Sequence, residues 1–298
     1  MERDIEDGGG KALSKICILV PAADYEEDWS KIKADYLRLL GSDIIFRDWT
    51  NPSDLSGFTL ILPLIAWGYQ RDCPRWFALL DRLAAEGLPV INPVCVLRWN
   101  TDKAYLAELG SAAVAVVPTR MADALCEADL IAARDAFGTD ILVIKPPISG
   151  GADGTFRLNA TEAVPSGVAG KRMMIQPYLP NIADEGEFSL FYFGGQFSHA
   201  IIKRPAAGDF RVQDQYGGYE EGIEAPEEAK ALAIAALSAT SAITQTGPLA
   251  YARVDMLRNS KGQFALMELE LIEPSLFLGF AGDGGAMFAA AVLGLLGG

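Results

Sequence analysis

The sequence is poor in the residues that most metal and nucleophile sites are made from. Its 298 residues include one histidine, His199, and four cysteines, Cys17, Cys73, Cys95 and Cys126, with no CxxC pair among them. That excludes a histidine-rich zinc centre and most Ser-His or Cys-His catalysis. The scattered cysteines are expected to be buried, reduced thiols of a cytoplasmic protein. Apolar runs stay short of the roughly 18–20 residues that a membrane-spanning helix needs, so no membrane partner is expected. Positive charge is scarce, with 25 Lys and Arg against 39 Asp and Glu and a net charge of −14. With no basic run to neutralise a phosphate backbone, nucleic acid is not an expected partner. The opening MERDIEDGGGKALSK is charged and Gly-rich and lacks an apolar signal core, so residues 1–14 are expected to be a disordered tail.

What is present is an α/β pattern. An apolar run at 16–20 is followed by Trp29, Ile32, Tyr36, Leu37 and Leu40 at helical spacing. Apolar runs at 43–46 and 60–64, a helix at 76–83 and a strand at 89–92 complete a parallel α/β unit over 15–100. Asn100 or Thr101 then suits the cap of a helix running to Leu109. A β run at 114–117, a helix at 122–137 and a buried strand at 141–144 follow. Beyond Lys145 the character changes to α+β: residues 173–176, 187–193 and 196–203 read as antiparallel strands and 227–243 as an Ala-rich helix.

The strongest chemistry lies in a hairpin, YARVDML and FALMELELIEP joined by RNSKGQ. Alternation puts Tyr251, Arg253, Asp255 and Leu257 on one strand face, and Leu266, Glu268, Glu270 and Ile272 on one face of the other. Asp255 then lies directly across from Glu268 or diagonal to it. Three acids and one arginine do not neutralise each other, and a hard cation resolves the repulsion; magnesium on carboxylates and substrate phosphates is a common solution. The alternative is an exposed acidic strand face, which the apolar residues after Glu270 weaken.

Two further groups carry anion chemistry. Lys145 ends a buried strand and precedes the loop Ser149-Gly150-Gly151-Ala152-Asp153-Gly154-Thr155, whose N–H groups suit phosphate. No GK[ST] closes the loop and no GxGxxG follows the first strand, so neither a Walker loop nor a dinucleotide fold is indicated. Lys203, Arg204 and Arg211 form a basic cluster beside the acidic hairpin, as a magnesium–polyphosphate site requires. A plain surface loop and surface salt bridging are the alternative readings of these two groups.

In order and spacing these parts resemble the ATP-grasp superfamily, in its glutathione synthetase-like branch. The resemblance runs from Lys103 to Ser275, through D-K-x-Y-L, V-P-T, V-I-K-P, M-I-Q-P-Y-L-P, G-E, K-R-P-A-A-G-D-F-R, R-V-D and E-L-E-L-I-E-P-S. It implies a pre-ATP-grasp substrate domain at 15–100, a small subdomain with the Gly-rich loop at 101–176, and a C-terminal subdomain with the metal hairpin at 177–298, the last two sandwiching ATP. It implies that Lys103 and Lys145 hold ATP phosphates with Ser149, Gly150 and Gly151, and that Gln176, Tyr178 and Leu179 form the hinge that reads adenine. Glu187 would bind the ribose. Asp255, Glu268 and Glu270 would bind two Mg2+ or Mn2+ ions, and Lys203, Arg211 and Arg253 would be the catalytic cations. Asp24, Tyr25, Trp67, Tyr69 and Arg71 follow strand ends of the first unit and either hold substrate or pack; Arg71 is the candidate for a substrate carboxylate.

The implied reaction is a ligation through an acyl phosphate, from a small carboxylate and an amine, in a homo-oligomer such as a dimer. Two departures argue against glutathione as product. Glu270 stands where glutathione synthetase has asparagine, and Ser189 stands where it has a basic residue. The runs around Glu187 and Glu268 are more similar to the cyclo-ligase of cycloserine biosynthesis. A cyclo-ligase, an ATP-grasp kinase and a nucleotide-binding regulator are the alternatives.

Overall fold

The structure is a computed structural model that describes residues 16–41 and 43–297; the expected N-terminal tail lies outside them. It begins with a parallel sheet of β1 (Ile16–Val20), β2 (Ile45–Asp48) and β3 (Leu60–Leu62), with β1 in the centre. All of β1 is buried, because both of its faces meet apolar layers. Ile16, Ile18 and Val20 pack with Tyr36 of α1 (Ser30–Leu40). Cys17 and Leu19 pack with Trp76 and Leu80 of α2 (Cys73–Ala85). The strand expected at 89–92 is reduced to one bridge, Val90 on Ile61.

The helix expected to start at Asn100 is corrected. A helix, α3 (Val94–Thr101), ends there, and α4 (Tyr105–Ser111) follows, with Asp102 accepting a bond from the N–H of Ala104 at 2.9 Å. The reason is tertiary. The Asn100 amide donates to Leu269 O at 2.8 Å and accepts from Leu271 N at 3.0 Å, and the Thr101 hydroxyl accepts from Trp76 Nε1 at 2.9 Å. Side chains committed elsewhere cannot cap.

A four-stranded antiparallel sheet follows, in the order β4 (Arg120–Ala122), β7 (Met173–Pro177), β5 (Leu142–Lys145), β6 (Phe156–Leu158). Leu130 and Ala133 of α5 (Glu127–Phe137) cover it by packing on Leu142 and Ile144. The helix expected from 122 starts later because 120–122 pairs with β7.

After the short α6 (Asn181–Asp184) comes a five-stranded antiparallel sheet with the order β10-β9-β8-β11-β12. Its strands are β8 (Glu187–Phe193), β9 (Gln196–Arg204), β10 (Tyr219–Ile223), β11 (Tyr251–Arg258) and β12 (Phe264–Glu270). On one face Ala229, Ala233 and Ala236 of α7 (Glu227–Thr244) are small enough to bring the helix close to Val254, Met256 and Leu269. On the other, Phe191, Phe193 and Tyr251 pack against the first sheet and Phe288 of α8 (Ala286–Leu293). Gly186, at φ +95°, lets β8 start beside β9: a Cβ there would sit 2.5 Å from Lys203 O.

The strand β12 lies at the edge of its sheet, and that edge is covered. Leu266 exchanges backbone bonds with Ala115 and Val117 at 2.8 and 2.9 Å, which is all that remains of the strand expected at 114–117. The Tyr105 hydroxyl accepts from Leu269 N at 2.7 Å and donates to Leu269 O at 3.1 Å. Asn100 serves the next residues. Cys17 is buried, but Cys95 and Cys126 are exposed, which corrects the expectation of uniformly buried thiols. No described helix is long and apolar enough to cross a membrane.

Candidate active site

A cleft of about 600 Å³ opens above β8, β11 and β12. The register across the hairpin pairs Asp255 with Glu268 and Arg253 with Glu270, so the acids stand directly opposite one another. A β-bulge between Asp255 and Met256 makes Met267 the extra residue. It reverses the alternation, and Leu266 therefore joins the core with Met256 instead of sharing the Glu268 face, against expectation.

The expected excess of three acids over one arginine is also corrected, because lysines enter from other elements. Asp255, 2 % exposed, accepts from Ser189 Oγ at 2.6 Å and from Arg253 at 2.8 Å, with Lys203 at 3.7 Å. Arg253 also bonds Glu270. Lys103 pairs with Glu268 at 3.1 Å and Lys203 with Glu187 at 3.0 Å. Burial works against the Asp255 carboxylate, yet Arg253 and Lys203 outweigh it and hold its pKa below the usual range. Burial dominates at Glu270, whose pKa is pushed up to about 7, and raises Glu187 as well.

Among the described residues no three metal-binding side chains converge into a ready-made cage. The donor set is oxygen-only and partnered by cations that can exchange carboxylate for phosphate. That suits magnesium arriving with a nucleotide better than magnesium alone, since the ion is usually held by one or two carboxylates plus substrate phosphates. Lys145 fits the same reading. It is 8 % exposed, and burial pulls its pKa down, with Glu268 opposing.

The loops add the remaining wall. Lys103 donates to Ser149 O at 2.6 Å, and Gln215 Nε2 to Gly151 O at 2.9 Å, so the glycine loop touches both the turn before α4 and the loop after β9. The expected basic cluster is divided. Lys203 is buried on the sheet, Arg204 turns to Asp184 O at 3.1 Å, and Arg211 lines the cleft while bonding Asp209 at 2.7 Å and lying 3.6 Å from the Tyr216 ring. At the hinge Gln176 donates to Thr119 Oγ1 at 2.8 Å, the Tyr178 N–H to Ile141 O at 2.9 Å, and Ile182 N to Leu179 O at 3.2 Å. This leaves the Tyr178 carbonyl and the Leu179 N–H, the two ends of one peptide group, without a backbone partner among the described residues.

At the far end Tyr25, Trp67, Tyr69 and Arg71 line the cleft; Asp24 does not and is exposed. Tyr69 is stacked on Trp76 at 5.0 Å and belongs to the core. Two roles were not expected from the sequence: Ser189, noted there only as a departure from glutathione synthetase, fixes Asp255, and Glu273 lines the cleft. The latter's signal was a lone acid in the apolar run LIEPS.

The profile of the "D-cycloserine synthetase DcsG, N-terminal domain" matches residues 16–92. The cycloserine biosynthesis protein DcsG of Streptomyces lavendulae is 31 % identical over 270 residues, covering 86 % of this chain and 89 % of that protein. The crystal structure of D-cycloserine synthetase DcsG superposes with a TM-score of 0.83 at 28 % identity, covering 95 % of this chain and all of that one. D-Alanine–D-alanine ligase from Bacillus anthracis complexed with ATP shares the fold, with a TM-score of 0.69 at 18 % identity and 96 % of each chain covered. With this likeness spanning nearly the whole length, the chain belongs to the DcsG family and is an ATP-dependent ligase of the ATP-grasp fold.

Proposed function

We propose that the cleft binds ATP with its adenine at the hinge, where the backbone of Tyr178 and Leu179 reads the base and the Leu179 N–H donates to it. Glu187 takes the ribose. Lys103, Lys145 and the N–H groups of Ser149, Gly150 and Gly151 take the phosphates, as the subdomains at 101–176 and 177–298 close on the nucleotide. Asp255, Glu268 and Glu270 hold two Mg2+ ions with the phosphates; the ions supply charge neutralisation of the transferred phosphoryl group. Arg211, Lys203 and Arg253 neutralise charge on the same group and on the carboxylate that receives it. The observation that carries this reading is the meeting of Asp255 and Glu268 across one hairpin with Lys103, Lys145 and Lys203 at a single cleft.

The reaction this favours is activation of a small amino-acid carboxylate as its acyl phosphate, followed by attack of a nitrogen of the same molecule and closure of a ring, with ADP and phosphate released. The likeness to D-cycloserine synthetase supports ring closure over joining two molecules. Holding both ends of one substrate accounts for much of such a rate enhancement, in keeping with a site that has no nucleophile triad. ADP release and product mass, measured over ureido-amino acids, amino acids and dipeptides, test the reading. A ring product from a ureido-amino acid is expected, with turnover lost in Asp255→Asn combined with Glu268→Gln; a stable phosphorylated product would instead make the chain a kinase. Mg2+ alone is expected to shift melting little. Mg-ATP at about 100 times its Kd is expected to stabilise by about 2.7 kcal/mol. Light scattering tests the expected dimer.

A further inference from the structure

The Glu273 carboxylate stands apart from the acids on the floor of the cleft. Asp255, Glu268, Glu270 and Glu187 each meet a lysine or arginine. Glu273 has no basic side chain within ion-pair distance among the described residues; its own backbone N–H is the hydrogen-bonding group that faces it. It lines the cleft at the end away from the hinge, beside Tyr25, Trp67 and Arg71 of the first unit. The cation that acts on it, Lys103, is paired with Glu268 at 3.1 Å, and Arg71 lies 5.2 Å from the Tyr25 ring centre. Trp67 Nε1 donates to Glu273 O at 3.3 Å and fixes the backbone there, and the Tyr25 and Trp67 rings lie 6.2 Å apart. Burial pushes the Glu273 pKa up to about 8, with Glu270 adding to the rise and Lys103 opposing it, as expected of a carboxylate without an ion-pair partner.

A half-buried acid without an ion-pair partner is costly unless a ligand brings one. A carboxylate beside two aromatic rings suits an ammonium, which is drawn both to the charge and to the ring faces. We propose that Glu273, flanked by Tyr25 and Trp67, binds the amino group of the amino-acid substrate and makes the site select for a primary amine. The assignment rests on the amino-acid reading above and adds the residue that enforces it. It involves no covalent step: the ammonium is held while the reaction proceeds at the carboxylate.

The test separates this from the parent reading. The chain with Mg-ADP is titrated calorimetrically with D-cycloserine and with isoxazolidin-3-one, the same ring lacking the amine. A hydrogen-bonded charge pair corresponds to a preference of about 10- to 100-fold for the aminated ring. Glu273→Gln is expected to cut that preference to within about threefold by weakening D-cycloserine alone, while Glu273→Asp retains part of it. Circular dichroism checks the fold, and Glu273→Ala carries the same comparison should E273Q not fold. A preference surviving in the folded variant overturns the role of Glu273. Equal binding of both rings by the wild type overturns it too, with the ligase reading intact. Binding of neither ring takes the cycloserine-type reading down with it.

Discussion

Arg253 and Arg211 face the same cleft from opposite kinds of structure. Arg253 stands in the middle of a strand, 7 % exposed, locked between Asp255 and Glu270. Arg211 stands on a loop, its side chain 32 % exposed, and its carboxylate partner Asp209 is two residues away. The strand position makes Arg253 part of what holds the hairpin together, because removing it strands the buried Asp255 and the half-buried Glu270. The loop position leaves Arg211 able to move with a substrate at little cost to the fold. Charges built into the floor serve stability and chemistry at once; charges on the rim serve chemistry.

The comparison breaks most readily at Arg253. Arg253→Leu is expected to destabilise by about 3–5 kcal/mol in denaturant melts, the usual cost of orphaning a buried charge. A loss below 1 kcal/mol would place Arg253 with the rim residues. Lys145 should separate the two roles. Lys145→Met removes a buried ammonium that has no carboxylate within ion-pair distance among the described residues, so the nucleotide-free protein should gain about 1 kcal/mol. ATP affinity should fall at least tenfold, by two lost charge-assisted bonds at most. A loss of stability with unchanged ATP binding contradicts that role.

Glu273 gives a smaller, pH-dependent effect. Its folded pKa is raised, so its contribution to stability is full below about pH 4.5 and is lost as pH rises through about 8. In EDTA and without nucleotide, wild-type stability should decline across that window, and Glu273→Gln should flatten the decline by roughly 1 kcal/mol. An unchanged slope means that Glu273 ionises freely. The smallest effect is expected at Arg211, where Arg211→Ala should alter stability by less than about 1 kcal/mol, as for exposed pairs. Its ADP release should nonetheless drop by at least tenfold, as when a donor to a developing anion is removed.

Much of the floor was legible because strand alternation is local. The spacing of Arg253, Asp255, Glu268 and Glu270 sets their shared face, while the register, open by two residues in the sequence, places Asp255 directly across from Glu268. What met those acids was not legible. Lys103 comes from the turn before α4 and Lys203 from β9, and pairing across such distances leaves no periodic mark. The bulge at Met267 was invisible for a related reason: one inserted residue shifts the phase without changing composition, and Leu266 went to the wrong face. Asn100 misled because a good capping residue was committed to β12. The strands β6 and β10 escaped because three residues, FRL, and the polar YEEGI carry little alternation. Glu273 lay inside the matched run E-L-E-L-I-E-P-S, but a single acid among apolar neighbours has no partner in sequence to announce it.

The covering of β12 has a consequence beyond the positions of Glu268 and Glu270. An open edge strand presents unpaired N–H and C=O groups to any passing chain and is a template for aggregation. Here the strand that carries two of the acids is also the last in its sheet, and the amide of Asn100 and the hydroxyl of Tyr105 occupy the bonds that a foreign strand would take. Two side chains from neighbouring helices thus do the work of a sixth strand: the edge that the chemistry needs accessible from above is closed from the side against self-association.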